Sequence, residues 1–316
     1  MATYKEAVGT AVTNYAGNKP SVVDGEVWYD STNKDFKYQY VSAAGVWATG
    51  NSMNTARSAL GGAGTQTAAI AVAGQYPNKA NVEKYDGTSW TEVADVNTAR
   101  NDLGGSGTQT AAVVFGGEPV TAVTESWNNT SWTEVNDLNT ARYGLGGNSI
   151  GISTAALAAG GFAPAVTAVT ELWNGTNWTE VNDLNTARAR LATFGITTAA
   201  IATGGAPPKA VTESYNGTNW TEVADLNTAR QQLGATGTTT AGLAFGGETS
   251  GPQLAITEQW NGTNWTEVNN LNTARQEMGA AGTTAAALAF GGDSGSLTGA
   301  TEEWNSPATV IKTLTD

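Results

Sequence analysis

A sixteen-residue phrase recurs along this chain, and its recurrence restricts the possible folds more than any other feature. The clearest copy is WNGTNWTEVNDLNTAR at residues 173–188, and related phrases end at five other arginines. The six arginines follow one another at intervals of 43, 42, 46, 42 and 45 residues. A period in the forties is typical of arrays of supersecondary units. We therefore expect a repeat protein.

Comparison of the copies separates a fixed part of the repeat from a variable part. The second tryptophan of the phrase always precedes the arginine by ten residues, as in Trp132 and Arg142. The arginine precedes the end of a glycine pair by 17 residues, except that Arg142 and Gly161 are 19 apart. From that glycine to the next glutamate the distance varies between 8 and 11 residues. The fixed part indicates a shared scaffold, and the variable part indicates a surface loop.

Each repeat predicts four short antiparallel strands, which we call a to d in chain order. After the arginine come a small-residue stretch such as LGGSG, a turn, and an apolar run that ends in two glycines, such as AAVVFGG. An alternating run such as AVTESW follows, then a loop that usually contains Asn-Gly, then WTEV. Asn-Gly between such runs is a strong hairpin signal. Four-stranded units at this period predict the blades of an all-β propeller. We expect the Gly-rich stretches, such as residues 103–107, to line the central channel.

The order of these residues resembles the kelch repeat. An arginine, a glycine pair that ends the second strand, a Tyr or Trp and then a second Trp occur over about residues 47–304. Two features depart from the pattern: the first pair is Ala73-Gly74, and the aromatic residues are only five apart, as in Trp127 and Trp132. The resemblance implies a propeller and implies little about activity.

The number of blades depends on the N-terminal segment. One repeat length before Trp47 begins near residue 3, and GEVWYD and DFKYQYVSAAGVW are predicted as strands b, c and d of a divergent blade, although no convincing strand a precedes them. At the other end, TVIKTL is predicted as the last strand d. We favour seven blades, and the alternative is six blades plus an N-terminal β-hairpin segment. The predicted division is 1–50 as a divergent blade or attachment element and 51–316 as the kelch-like propeller.

The repeat arginines and a repeated glutamate are predicted to pair. The glutamate lies two residues before the first aromatic residue, on the apolar face of its strand, where a carboxylate needs a partner. The expected set is Arg57, Arg100, Arg142, Arg188, Arg230 and Arg275 with Glu83, Glu125, Glu171, Glu213, Glu258 and Glu302. We expect each arginine to bind a glutamate of its own or an adjacent blade. The functional alternative is a ring of arginines that binds an anion, or an arginine cluster of the sialidase type.

The paired tryptophans are interpreted as packing residues that flank a hairpin and fill the wedge between blades. Their functional alternative is a sugar-stacking platform. The Asn-Gly-Thr triplets, such as residues 174–176, are interpreted as tight turns, although they also match glycosylation sequons. The repeated carboxylates Glu134 and Asp137 are interpreted as a solvated strand edge. Glycosidase-type acid pairs and calcium sites are the alternatives for these carboxylates.

The composition excludes several chemistries. The chain has no cysteine and no histidine, which removes thiolate chemistry, the commonest general base and the commonest transition-metal ligand. Its 28 acidic and 15 basic residues leave a net charge of −13, which opposes binding to nucleic acid or an anionic membrane. No apolar run is long enough to span a membrane, and the N-terminus does not resemble a signal peptide. We expect no cofactor, no metal and no enzymatic activity.

A second resemblance concerns residues 19–39, KPSVVDGEVWYDSTNKDFKYQ. This segment is similar to short segments of bacteriophage tail-fibre and other virion proteins, and the Asn/Thr-rich repeats are similar to kelch-like proteins of phages. The resemblance implies a virion or tail-appendage protein that is made in the host cytoplasm and binds another virion protein or a host-surface glycan. A homo-oligomer is compatible with this hypothesis. The alternatives are a cytoplasmic kelch-type scaffold for a protein partner and, third, a carbohydrate-active enzyme.

The loops from the glycine pair to strand c are the predicted binding region. They are the most variable connections, with EPVTAV at 118–123, FAPAVTAV at 162–169, ETSGPQLAI at 248–256 and DSGSLTGA at 293–300. Equivalent loops should emerge on one face of the disc because every blade has the same strand order. The candidate contact residues are Glu248, Gln253, Asp293 and Ser296. The alternative is that insertions are merely tolerated at this point.

Overall fold

The computed structural model describes residues 12–19, 25–41, 45–75, 77–147, 151–307 and 309–314. The strands within these residues form seven four-stranded sheets, so the predicted all-β class and the predicted number of sheets are confirmed. In the described part of the chain there is no helix that could span a membrane. The chain divides into two compact units, one of residues 1–45 and 306–316 and the other of residues 46–305.

Six sheets belong to the larger unit, and we call them blades 1–6. Blade 1 contains β5 (Gly61–Thr65), β6 (Ala68–Gly74), β7 (Lys79–Tyr85) and β8 (Trp90–Val93). Blade 2 contains β9 (Gly104–Gly107), β10 (Ala112–Phe115), β11 (Thr124–Trp127) and β12 (Trp132–Val135). Blade 3 contains β13 (Gly146–Gly147), β14 (Ala156–Ala159), β15 (Thr170–Trp173) and β16 (Trp178–Val181). Blade 4 contains β17 (Ala192–Ile196), β18 (Ala199–Thr203), β19 (Thr212–Tyr215) and β20 (Trp220–Glu222). Blade 5 contains β21 (Gly234–Thr238), β22 (Ala241–Phe245), β23 (Thr257–Trp260) and β24 (Trp265–Val268). Blade 6 contains β25 (Gly279–Gly282), β26 (Ala286–Phe290), β27 (Thr301–Asn305) and β4 (Val46–Gly50).

The six blades form a closed ring. The innermost strand of each blade packs against that of the next, from β5 through β9, β13, β17 and β21 to β25, and β25 packs against β5. These strands consist largely of small residues, and Gly104 and Gly105 line a cavity on the axis, as expected for the stretch 103–107. At Gly62 a Cβ atom would lie 2.8 Å from the Ala280 carbonyl, so a side chain there would force the strands apart. Small residues therefore allow six strands to converge.

The glycine pair that ends the second strand has a steric cause. Gly116 and Gly117 have φ angles of 66° and 129°, which L side chains rarely adopt. A Cβ at Gly116 would also lie 2.6 Å from the Arg142 carbonyl oxygen of the next interblade connection. In the departing pair of blade 1, Ala73 keeps the same left-handed conformation with a φ of 60°. The pair therefore turns the chain out of the sheet where two connections meet.

The ring is closed by a strand from the N-terminal side, which corrects the predicted assignment of two strands. The segment GVW was expected to be strand d of an N-terminal blade, but β4 pairs with β27 and places Trp47 opposite Trp304. The same aromatic register occurs inside blade 2, between Trp127 and Trp132. TVIKTL was expected to be the last strand d of the propeller, and it lacks this tryptophan. The aromatic pairing therefore selects β4 for blade 6.

The seventh sheet is built from both ends of the chain. It contains β1 (Thr13–Tyr15), β2 (Val27–Asp30), β3 (Asp35–Val41) and β28 (Thr309–Thr313). β1 pairs with β2 in parallel, whereas the other pairs are antiparallel. Residues 306–316, which were predicted to belong to the propeller, thus belong to the smaller unit. The ring of the larger unit has six blades, and the seventh of the predicted sheets is this terminal one, which has four strands and is not a hairpin.

Candidate functional site

Each repeat arginine forms an ion pair with the repeated glutamate. The N–O distances are 2.6 Å for Arg57–Glu83, 2.5 Å for Arg100–Glu125, 3.2 Å for Arg142–Glu171, 2.6 Å for Arg188–Glu213, 3.3 Å for Arg230–Glu258 and 3.1 Å for Arg275–Glu302. All twelve side chains are at most 3% exposed. The arginine lies in the connection that enters a blade, and the glutamate lies on the third strand of that same blade. The structure thus selects the own-blade pairing from the two that were expected.

The glutamate also holds the rest of the repeated Asn-Thr-Ala-Arg phrase. In blade 2 the carboxylate of Glu125 accepts hydrogen bonds from the backbone N–H of Asn97 at 2.7 Å and of Thr98 at 3.3 Å, and from the Arg100 guanidinium. The Asn97 side chain donates to the same carboxylate at 2.8 Å and to the Trp132 carbonyl at 3.3 Å. A bond from the asparagine to the carbonyl of the second tryptophan occurs in every blade. The phrase therefore anchors each interblade connection to the outer strands of the blade it enters.

Burial makes these arginines unsuitable for binding an external anion. Desolvation lowers the pKa of Arg230 to about 10, although the charge of Glu258 opposes this shift, so the guanidinium remains protonated at neutral pH. Burial lowers the pKa of Arg57, Arg142 and Arg188 in the same direction, again against the paired glutamate. Because the guanidinium groups are enclosed, their positions do not form the exposed ring of positive charge that the alternative requires.

The repeated tryptophans are buried between blades. The ten tryptophans of the repeats are between 1% and 6% exposed, so their faces are not available as a sugar-stacking platform. The ring centroids of the pair in blade 3, Trp173 and Trp178, are 5.5 Å apart. Trp178 also packs edge-on against Phe115 of blade 2 and donates its indole N–H to the Thr124 hydroxyl of that blade at 3.1 Å. These residues join neighbouring blades.

A ring of backbone hydrogen bonds encircles the axis at one face. It is formed by the residues two positions after the repeat arginines, which we call the collar: Ala59, Asp102, Gly144, Arg190, Gln232 and Glu277. Each collar N–H donates to the collar carbonyl of the preceding blade, and the last bond joins Ala59 to Glu277, with N–O distances of 2.5–2.9 Å. All six residues have φ angles between 51° and 59°, although only one is glycine. The left-handed conformation turns each N–H toward the preceding blade, and the resulting hydrogen bond offsets the steric cost of about 1–2 kcal/mol in the five residues that have a Cβ atom.

The collar is surrounded by a second ring of variable positions. The residue after each arginine bridges the residue after each glycine pair, and we call these the rim pairs: Ser58–Gln75, Asn101–Glu118, Tyr143–Phe162, Ala189–Ala206, Gln231–Glu248 and Gln276–Asp293. The loop to strand c begins at the second member of each pair. Collar, rim pairs and these loops therefore occupy one face of the propeller, which we call the collar face.

The side chains on the collar face differ from blade to blade. Glu277 accepts hydrogen bonds from Ser58 at 2.8 Å, Gln75 at 2.6 Å and Gln232. Asp102 lies 3.5 Å from the guanidinium of Arg190. Burial raises the pKa of Asp102 to about 6, although Arg190 acts in the opposite direction. The backbone arrangement of the collar face is therefore repeated in every blade, whereas its side chains are not.

The four candidate loop residues lie on this face, in the loops of blades 5 and 6. The carboxylate of Glu248 accepts a hydrogen bond from Gln231 at 2.5 Å, and the backbone of Glu248 bridges that of Gln253. Asp293 accepts a hydrogen bond from the Gly295 N–H at 2.8 Å. Ser296 is exposed. Glu248 and Asp293 thus shape their loops, and Ser296 is the most accessible of the four.

Sequence reasoning missed the collar and the rim pairs. The available signal was the pair of residues that follows each Asn-Thr-Ala-Arg phrase, which reads SA, ND, YG, AR, QQ and QE in otherwise similar copies. An axial cavity of about 110 Å³ lies beneath the collar, lined also by leucines of several blades. It is smaller than the roughly 300–1,000 Å³ of typical ligand pockets. The interior of the ring is therefore a poor ligand site.

The repeated carboxylates Glu134 and Asp137 lie at a strand edge. Glu134 and Asp137 are exposed, and Asp137 accepts a hydrogen bond from the Thr124 N–H at 3.1 Å, which fixes the strand edge. Among the described residues there is no group of three or more acidic side chains placed to hold a metal ion. In comparisons with known proteins, no family model matches the chain and no curated protein is significantly similar to it.

Proposed function

We propose that this chain is a non-enzymatic binding protein and that its ligand contacts lie on the collar face. The observation that carries the proposal is the separation of repeated from variable residues. The ion pairs and tryptophans that hold the blades are nearly identical in every copy and buried. Collar, rim pairs and loops differ between copies and meet at one face. A ring that served only as a scaffold would not need this variety, whereas a binding surface does.

The proposed setting is a bacteriophage virion or tail appendage, with another virion protein or a host-surface glycan as the partner. The similarity of residues 19–39 to short segments of phage structural proteins supports this setting. The charge of the collar face also restricts which partners can bind. The collar and rim pairs carry five carboxylates and a single guanidinium, that of Arg190. Such a surface repels anionic partners at long range.

An array of bacterial surface oligosaccharides tests the proposal. Three proteins are compared: the unaltered chain, a variant in which the loops 248–256 and 293–300 are shortened to the length of 118–123, and a chain that begins at residue 46. In blade 2 the loop 118–123 connects the equivalent two strands at this shorter length, and Thr121 N–H donates to the Gly117 carbonyl at 3.1 Å. The shortened loops should therefore fold. We expect the loop variant to lose most of its binding and the chain that begins at residue 46 to retain it. The reverse result would place attachment in the N-terminal segment.

A further inference from the structure

The collar face contains an off-axis cavity of about 410 Å³, lined by residues of blades 1 to 3 and by Arg190 of the collar. This volume lies within the range of about 300–1,000 Å³ that is typical of small-molecule sites. Its wall includes the amide side chains of Gln75, Asn78 and Asn101. Gln75 and Asn101 are only 8% and 5% exposed, which is unusual for polar residues at a surface. The cavity thus combines a suitable size with a buried polar wall.

Hydrogen bonds hold the three amides in place, and those of Gln75 and Asn101 use only the side-chain N–H groups. Gln75 donates from Nε2 to Glu277 at 2.6 Å and to Ser58 at 3.2 Å. Asn101 donates from Nδ2 to Asn78 Oδ1 at 2.6 Å, and Asn78 donates to the Glu118 carbonyl at 3.1 Å. In the described part of the chain no donor reaches the side-chain oxygen of Gln75 or Asn101. Because these acceptors are already fixed, ligand binding would cost little conformational entropy of the protein side chains.

The cavity contains charged groups of both signs. Asp102 and Glu118 supply two carboxylates, and Arg190 supplies one guanidinium at 3.5 Å from Asp102. Within the described residues the carboxylate of Glu118 makes no hydrogen bond or ion pair. An anionic ligand would face Glu118, and a cationic one would face Arg190. Groups that both donate and accept hydrogen bonds, such as hydroxyls, can satisfy the carboxylates, the amides and the guanidinium together.

One wall of the cavity is aromatic. Tyr143 lines it and is half-buried, and Phe162 supports Tyr143 with a centroid distance of 5.3 Å. This rim pair of blade 3 is the only one of the six that is aromatic. An aromatic ring next to planar amide and carboxylate groups suits a ligand that has one apolar C–H face and polar edges. A pyranose ring has this shape and chemistry.

We propose that this cavity binds one residue of a neutral saccharide. The Tyr143 ring stacks on the C–H face of the sugar, the carboxylates of Asp102 and Glu118 accept from its hydroxyls, and Arg190 donates to a hydroxyl oxygen. This inference rests on the proposed function, because it assigns a ligand class to the same face.

Saturation-transfer difference NMR with neutral free sugars tests the inference. The probes are glucose, galactose, mannose, N-acetylglucosamine and N-acetylgalactosamine, each with the full chain. Tyr143→Ala and Glu118→Gln install residues that other blades carry at the same positions, Ala189 and Gln75, so both variants suit the frame. Thr179→Ala is the control, because Thr179 is exposed on β16 of blade 3, lies outside the collar face and does not line the cavity.

We expect at least one of these sugars to bind, with Kd raised at least tenfold by Tyr143→Ala, at least fivefold by Glu118→Gln and less than twofold by Thr179→Ala. The absence of binding by all five sugars would overturn the inference, and so would equal affinities in the Tyr143→Ala and Thr179→Ala variants. Either result leaves the proposed function standing if array binding still depends on the loops 248–256 and 293–300. Loss of that dependence, with sugar binding still sensitive to Tyr143→Ala, would instead refute the assignment of attachment to those loops.

Discussion

At the residue scale, one buried carboxylate per blade explains why a whole phrase is repeated. Glu171 accepts hydrogen bonds from the backbone N–H groups of Asn139 and Thr140 and from the Asn139 side chain, and it forms an ion pair with Arg142. Each donor comes from the connection that enters the blade. Loss of any partner would leave a buried polar group without its bond, which is costly in a low-dielectric interior. The phrase is therefore repeated because its members share a single acceptor.

Replacement of Arg142 by Ala should be strongly destabilising. Because Arg142 and Glu171 are 0% exposed, the change leaves a buried carboxylate without its counter-charge, and we expect a loss of about 3–5 kcal/mol in the free energy of unfolding. Urea unfolding followed by tryptophan fluorescence measures it. Lys84→Ala is the control, because Lys84 donates only an exposed hydrogen bond to Asn129, and a change of at most about 0.5 kcal/mol is expected. An unchanged stability of Arg142→Ala would exclude a structural role for the pair.

Asp102 should make stability depend on pH with a sign opposite to that of most carboxylates. Its folded pKa of about 6 lies above its ordinary value of 3.8, so its contribution is fully present below pH 4 and is lost as the pH rises through 6. The difference corresponds to about 3 kcal/mol. Asn accepts the left-handed conformation, so Asp102→Asn should gain stability relative to the unaltered chain between pH 4 and pH 7.

Chemical unfolding of both proteins at several pH values measures this gain. Thr179→Ala should give a curve parallel to that of the unaltered chain, since Thr179 is an exposed residue of β16 and does not ionise. A constant difference between Asp102→Asn and the unaltered chain across this range would contradict the raised pKa.

At the element scale, the hairpin of strands c and d is the unit that joins one blade to the previous one. Its two aromatic residues lie opposite each other, as Trp173 and Trp178 do in blade 3. The second aromatic residue reaches a hydroxyl of the preceding blade in most copies, for example from Trp220 to Thr170 at 3.2 Å. In blade 5 the indole N–H of Trp265 makes no hydrogen bond within the described residues. Trp178 and Trp265 therefore occupy equivalent positions with and without this hydrogen bond, and a comparison of the two measures its contribution to stability.

Trp178→Phe should be more destabilising than Trp265→Phe. Both indoles are 5% exposed, so the loss of packing is similar, whereas only Trp178 donates to a neighbouring blade. The difference in the free energy of unfolding should be about 1 kcal/mol, the net value of one buried hydrogen bond. Denaturant unfolding of the two variants measures it. A larger cost at Trp265 would show that packing alone governs these positions.

At the scale of the whole molecule, the ring is closed by a strand that precedes the first complete repeat. β4 supplies the outer strand of blade 6, and Trp47 donates to Thr257 of blade 5 at 3.0 Å. Asn272 in turn donates to the Trp47 carbonyl at 3.1 Å. Closure by a strand that is distant in sequence joins the first and last repeats, so neither blade is left as a free end of the array.

A chain trimmed to residues 46–305 should fold as a stable ring, whereas one trimmed to 51–305 should not. The shorter chain lacks β4, exposes the edge of β27 and leaves the space of Trp47 empty. Loss of a buried tryptophan alone costs about 3–5 kcal/mol. Thermal unfolding followed by circular dichroism compares the two chains. Equal melting temperatures would show that β4 is dispensable for closure.

The repeat made most of the fold predictable from the sequence. The four strands per unit, the turns and the pairing of arginine with glutamate follow from local patterns, since copies of one motif reveal which spacings are fixed. The candidate site was less predictable. The loops at 248–256 and 293–300 differ visibly in length, whereas collar residues such as Asp102 and Arg190 are 88 positions apart and become neighbours only when the ring closes.

The sequence by itself determined the blade, because strand alternation, Asn-Gly turns and glycine pairs act over a few residues. Only the tertiary structure decided how many blades close the ring, which strand completes the last one and which variable side chains meet. These outcomes depend on contacts between distant segments, such as Trp47 with Trp304 and Ala59 with Glu277. A local pattern can specify how each unit packs against its neighbour. It does not specify the unit at which the array returns to its start.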